Sequence, residues 1–166
     1  MRSGRKLDGM SAMKSALACL LLLIVPLAAD ERPVSYPFDV TLGGTKAEMK
    51  AGNGIFAEVP KPVAADAVLT LVKEVPVLIV NLFVCKEDGS FNVSLPSAIV
   101  IAKQVKEVKL DATMDKKTLP PGTYFASIEA DGIDTCLVFT IATADAKPKV
   151  DFSKILGFLK KKAGGD

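Results

Sequence analysis

The chain has no histidine and no tryptophan among its 166 residues. Without histidine there is no His-based catalytic triad, no imidazole metal ligand and no imidazole pH switch. A cysteine nucleophile needs a neighbouring base, usually histidine, so cysteine catalysis loses its usual partner as well. Glycine-rich stretches are few. Gly43-Gly44 and Gly52-Asn53-Gly54 lack the following Lys-Ser/Thr or helix that a phosphate-binding loop requires. Serine and lysine are present, but no motif brings a particular pair together. No cofactor-binding motif stands out, and the reading is that of a non-enzymatic protein.

Half of the chain is apolar (49%) and charge is ordinary (24%). Residues 15–29, SALACLLLLIVPLAA, form an apolar run ending in small residues, with Arg2, Arg5, Lys6 and Lys14 before it. A positive start, a short apolar core and a small-residue exit describe a secretory signal peptide. The run falls short of the roughly 20 residues that span a bilayer, and Pro26 interrupts it. Residues 1–29 are therefore expected to be a leader cleaved after Ala29, with Met10 and Met13 as alternative starts that would make 1–12 an artefact. The expected address is exported: periplasmic, envelope-associated or extracellular.

Removing the leader's four bases and one acid from the totals of 21 and 19 leaves 17 bases and 18 acids. Six lysines against Asp151 make residues 147–162 basic, while residues 30–146 hold 11 bases and 16 acids. An acidic body with one arginine, Arg32, argues against nucleic acid. Two cysteines remain beyond the leader, Cys85 and Cys136. In an oxidising compartment they are expected to form one disulfide.

Strand signals dominate the body. Apolar residues alternate at Val34–Leu42, Ala47–Ala51 and Ile55–Val59, and the runs end at glycine or proline. Residues 67–73 and 77–85 are apolar runs divided by Pro76. Asp88-Gly89 reads as a hairpin turn into Phe91, Val93 and Leu95, and Asp131-Gly132 as a hairpin between Tyr124–Ala130 and Cys136–Ala142. Residues 97–109 fit either a helix capped by Ser97 or a strand, with β-branched propensity favouring the strand. Short strands with turn residues between them predict an all-β fold, an antiparallel Greek-key-like sandwich. Residues 30–35 form an N-terminal linker, 36–143 the sandwich domain, and 144–166 a basic tail.

Leu119-Pro120-Pro121-Gly122-Thr123-Tyr124, running into Phe125–Ile128, resembles the approach to strand F in bacterial immunoglobulin-like and fibronectin-III-like β-sandwiches. The resemblance is confined to the region 119–141. It implies a tyrosine corner built from Leu119, Pro121, Gly122 and Tyr124, with the phenol bonded back to nearby backbone. No cysteine follows Tyr124 by two residues and no tryptophan is present, which departs from the antibody type.

Face arithmetic identifies an interaction surface. Leu78, Val80 and Leu82 share one face of their strand with Val84, while Val77, Ile79, Asn81, Phe83 and Cys85 share the other. Tyr124, Ala126, Ile128 and Ala130, and Leu137, Phe139 and Ile141, read as core. Val77, Ile79, Phe83, Phe125 and Val138 then form an apolar patch on the outer face. Its expected cover is the tail, a helix at 97–109, or a second chain. In the tail, Asp151 caps a predicted helix over 151–161. Phe152, Ile155, Leu156 and Leu159 form its apolar stripe, and Lys160, Lys161 and Lys162 suit its negative end. The stripe fits an anionic membrane, the domain itself or a partner. Glu129, Asp131 and Asp134 are turn-associated acids without the spacing of a strong calcium loop. The function expected is binding of another macromolecule, a protein or an envelope component, or packing in the cell envelope; the alternative is a small secreted inhibitor or chaperone-like module that presents a loop or strand edge to an enzyme or client.

Overall fold

The computed structural model describes residues 40–51, 56–142 and 150–164. The leader, the 30–35 linker, the alternation at Val34, Tyr36 and Phe38, and Lys147-Pro148-Lys149 lie outside the described residues. The described chain is mostly β-strand with one C-terminal helix. Its strands are β1 (Thr41–Leu42), β2 (Thr45–Lys46), β3 (Glu48–Ala51), β4 (Phe56–Glu58), β5 (Val68–Val84), β6 (Ala98–Lys109), β7 (Gly122–Ala130) and β8 (Ile133–Ile141). The helix α1 spans Phe152–Gly164.

All eight strands belong to one sheet, in the order β2-β1-β5-β7-β8-β4-β3, with β6 also paired to β5. The path nearly closes on itself. Its two ends, β2 and β3, are separated in the chain only by Ala47, whose N–H donates to the Val40 carbonyl at 3.0 Å. The sheet is therefore nearly barrel-shaped rather than two plainly separate layers. One pairing also departs from the all-antiparallel expectation. β4 runs parallel to β8, with Phe56 opposite Cys136 and Glu58 opposite Val138, and Val63 continues the parallel contact to Ile141.

Residues 97–109 resolve to a strand, in line with their β-branched content. The runs before and after Pro76 join into one 17-residue strand, β5. Pro76 sits exposed at a bend, where the β5–β6 register shifts between Thr70 and Val75. A proline without an N–H is tolerated at such an irregularity. The first half of β5 pairs with β1 and the second half with β7, while β6 follows it throughout. Asp131-Gly132 forms the expected β7–β8 hairpin, both residues at positive φ (55° and 74°). Gly43-Gly44 turns β1 into β2 in the same way (57° and 75°).

The stretch after Asp88-Gly89 is a correction. Residues 85–97 cross from β5 to β6 as a loop, and Phe91, Val93 and Leu95 belong to no strand. Their alternation has no neighbouring strand to pair with. Phe91 is buried nonetheless, because it packs sideways under the helix.

The inner face carries the main core. Leu78, Val80 and Leu82 of β5, Tyr124, Ala126, Ile128 and Ala130 of β7, and Leu137, Phe139 and Ile141 of β8 all lie in it. Val84, of the same parity, is exposed at the strand's end. The Tyr124 and Phe139 rings stack with centroids 5.5 Å apart.

Candidate functional site

The outer face divides into a covered half and an open half. Cross-strand register sets its rows. Phe83 of β5 stands opposite Phe125 of β7, which stands opposite Val138 of β8. One row along lie Ile99, Asn81, Ser127 and Cys136, and beyond it Ile101, Ile79, Glu129 and Asp134. A last pair, Lys103 and Val77, follows.

Helix α1 covers the first part. Its Ile155 and Leu159 are buried in a second core with Phe56, Phe83, Cys85, Phe91, Phe125, Cys136 and Val138, and Phe152, Leu156 and Phe158 pack at its margin. Phe91 stacks on Phe125 at 4.7 Å and meets Phe158 at 5.1 Å. The predicted stripe thus covers Phe83, Phe125 and Val138 of the patch, and Phe158 joins it. The stripe faces the sheet. Asp151 caps the helix: its Oδ1 accepts the Ser153 N–H at 2.8 Å. That bond and the Ser153 hydroxyl hold the Asp151 carboxyl below its ordinary value.

Three seats fix the helix. The Val150 N–H donates to Thr123 Oγ1 at 3.2 Å, and Thr123 and Thr140 share a hydrogen bond beneath it. The Lys154 ammonium donates to the Glu87 carbonyl at 3.4 Å. Gly89, at φ +83°, lies so close that a Cβ there would stand 2.7 Å from the Lys154 carbonyl carbon. The Asp88-Gly89 signal marks a turn, as read, but its use is as a helix seat.

Phe83, Phe125 and Val138 are therefore withdrawn from the exposed interaction surface, because the helix buries them. Val77 and Ile79 remain. Val77 is 43% exposed and Ile101, one row along opposite Ile79, 45%, while Ile79 and Ile99 are half-buried. This aliphatic strip borders a groove of about 270 Å³ lined by Pro76, Val77, Ile79, Glu129, Ala130, Asp131 and Gly132. The strip's other members, Ile99 and Ile101, escaped the sequence reading because the strand assignment of 97–109 was open, which left their face unassigned.

The disulfide expectation is corrected as well. Cys85 and Cys136 are buried thiols, not bonded to each other. Cys85 is level with Thr123, to whose carbonyl its N–H donates at 2.8 Å, whereas Cys136 pairs with Ser127. That separates them by about 13 Å along the strands and about 10 Å across two strand spacings. A disulfide needs Cα atoms within about 7 Å. Sharing an outer face was inferred rightly; sharing a row was not. Burial pushes the Cys85 thiol up to about 12, which keeps it protonated and unreactive.

The tyrosine corner is formed. The Tyr124 hydroxyl donates to the Pro120 carbonyl at 2.6 Å, four residues upstream, and Leu119 is buried beside the core. Burial raises the phenol to about 12. No protein-family model, curated protein or solved structure matches the chain.

Glu129 and Asp134 face each other across β7 and β8, and Asp131 at the turn pairs with Lys73 at 2.7 Å. Burial, and then the Glu129 charge, push the Asp134 carboxyl above its ordinary value. Its Oδ1 is buried without a hydrogen-bond partner. Among the described residues no group of three or more acids, cysteines or histidines is placed to hold a metal ion.

Proposed function

We propose that the chain is an exported, non-enzymatic β-module that binds another macromolecule through the open strip of Val77, Ile79, Ile99 and Ile101. One observation carries this reading. The protein covers the aromatic half of its outer face with a dedicated helix yet leaves Val77 and Ile101 exposed, and Ile79 and Ile99 half-exposed, on the adjacent aliphatic half. Full exposure of such side chains forfeits about 1.5–3 kcal/mol each, so a partner that covers the strip recovers part of that. The exported address is supported by the grammar of residues 15–29. The finer reading as an immunoglobulin-like Greek-key sandwich is supported by the Tyr124–Pro120 corner, while the nearly closed sheet path and the parallel β4–β8 pair weigh against it.

The test places a photo-crosslinking residue at Ile101 or Val77 of the full chain in its native host, with the exposed Lys61 as the control position. Crosslinked macromolecules are expected at Ile101 and Val77 and not at Lys61. Equal labelling at all three positions, or none, would sink the binding reading.

A further inference from the structure

We propose that the open strip pairs face to face with the same strip of a second copy of this chain. The inference rests on the binding reading above and names its partner. The physical basis is the order of chemistry across the strands. On the outer face, Lys103 lies on the β6 flank, Val77 and Ile79 lie at the centre on β5, and Glu129 and Asp134 lie on the β7–β8 flank. The face thus runs from cationic through aliphatic to anionic.

Such a gradient is self-complementary under one particular two-fold axis. An axis in the interface, running along β5, exchanges the two flanks while keeping the centre opposed to the centre. Val77 and Ile79 then meet their own copies, and each Lys103 lies over the other copy's groove. The lysine stem passes along the aliphatic wall of Val77, and its ammonium reaches the acidic rim at Glu129. An axis across the strands instead sets acid against acid, so charge alone selects between the two arrangements.

Other features agree with this arrangement. Lys103 is exposed and makes no ion pair with a described residue. The groove of about 270 Å³ opens on the flank that receives the partner's Lys103, between Val77 and Glu129. The Asp134 carboxyl, crowded by burial and by Glu129, gains from any cation brought to that rim. The strip is four aliphatic side chains, two of them half-buried, so the dimer is expected to be weak and to depend on concentration and salt.

Sedimentation velocity of the full chain over a rising concentration series tests the idea. The expected result is a monomer–dimer equilibrium. Lys103→Glu alone, or Glu129→Lys alone, weakens it by about tenfold or more, and the double exchange Lys103→Glu with Glu129→Lys restores it. Amide spectra of each variant establish that the fold is kept, and Lys103→Gln, expected to weaken dimerisation less, replaces any variant that unfolds. A chain that stays monomeric, single variants that dimerise as the wild type does, or a double exchange that restores nothing would each overturn the pairing. If the chain stays monomeric while Ile101 still crosslinks a different macromolecule, the second-copy inference falls and the binding reading stands.

Discussion

Among the described residues, Asp134 carries a buried carboxylate oxygen that lacks a partner. Its Oδ1 has no hydrogen-bond partner, and the carboxylate of Glu129 faces it across the hairpin. Burial first and that charge second raise its carboxyl above the ordinary value of 3.8. A raised folded value means that the native state prefers the neutral acid. Stability from this group is fully present below 3.8 and is lost as pH climbs through the raised value. Asp134→Asn removes that loss. The variant is expected to match the wild type at strongly acidic pH and to exceed it at neutral pH, as read by thermal unfolding across a pH series. Parallel curves for the two proteins would refute the assignment. Tyr124 presents the opposite case: its one polar atom is satisfied by the Pro120 carbonyl, so its buried ring leaves nothing unpaired.

At the level of elements, the helix and its seat form one unit. Gly89 adopts a left-handed φ and abuts the backbone of Lys154 and Ile155. A methyl group there meets both a conformational and a steric penalty. Gly89→Ala is expected to lower stability by about 1–3 kcal/mol and to loosen α1 selectively, so that its amides exchange faster while those of β7 and β8 hold. Unchanged protection of α1 would show that the loop moves aside instead. Much of this element was legible in the sequence: the cap at Asp151, the stripe at Ile155 and Leu159, and the face of Phe83 and Phe125 that the stripe covers. Alternation reports which face a residue occupies, and a turn dipeptide reports a reversal. Neither reports what lies across the reversal. That is why the sequence pattern around Phe91 reads as a strand and Asp88-Gly89 as a hairpin, where the structure has a loop. Pro76 misled for a similar reason, since a bend and a break share one signature in a single strand. Ile99 and Ile101 stayed hidden until 97–109 was known to be β6 paired in register with β5.

At the scale of the molecule, the described residues form two hydrophobic cores that share one sheet, one inside its curve and one beneath the helix. Both cysteines belong to the second core and are too far apart to join. A chain lacking Cys19 is therefore expected to react slowly with a thiol reagent when native. It should release two thiol equivalents on unfolding without reductant, and fewer would restore the disulfide. The sheet also has a temporal consequence. The β7–β8 hairpin closes across two turn residues, a short and fast event, whereas β4 waits for β8, 80 positions further along, before Phe56 can meet Cys136. Such long-range closure is entropically costly and slow. During synthesis β3 and β4 emerge long before β8, the last of the described strands to be made. Until then their apolar side chains and open edges stand exposed, so the interval before β8 arrives is when this chain is most vulnerable to aggregation and most in need of a holding chaperone.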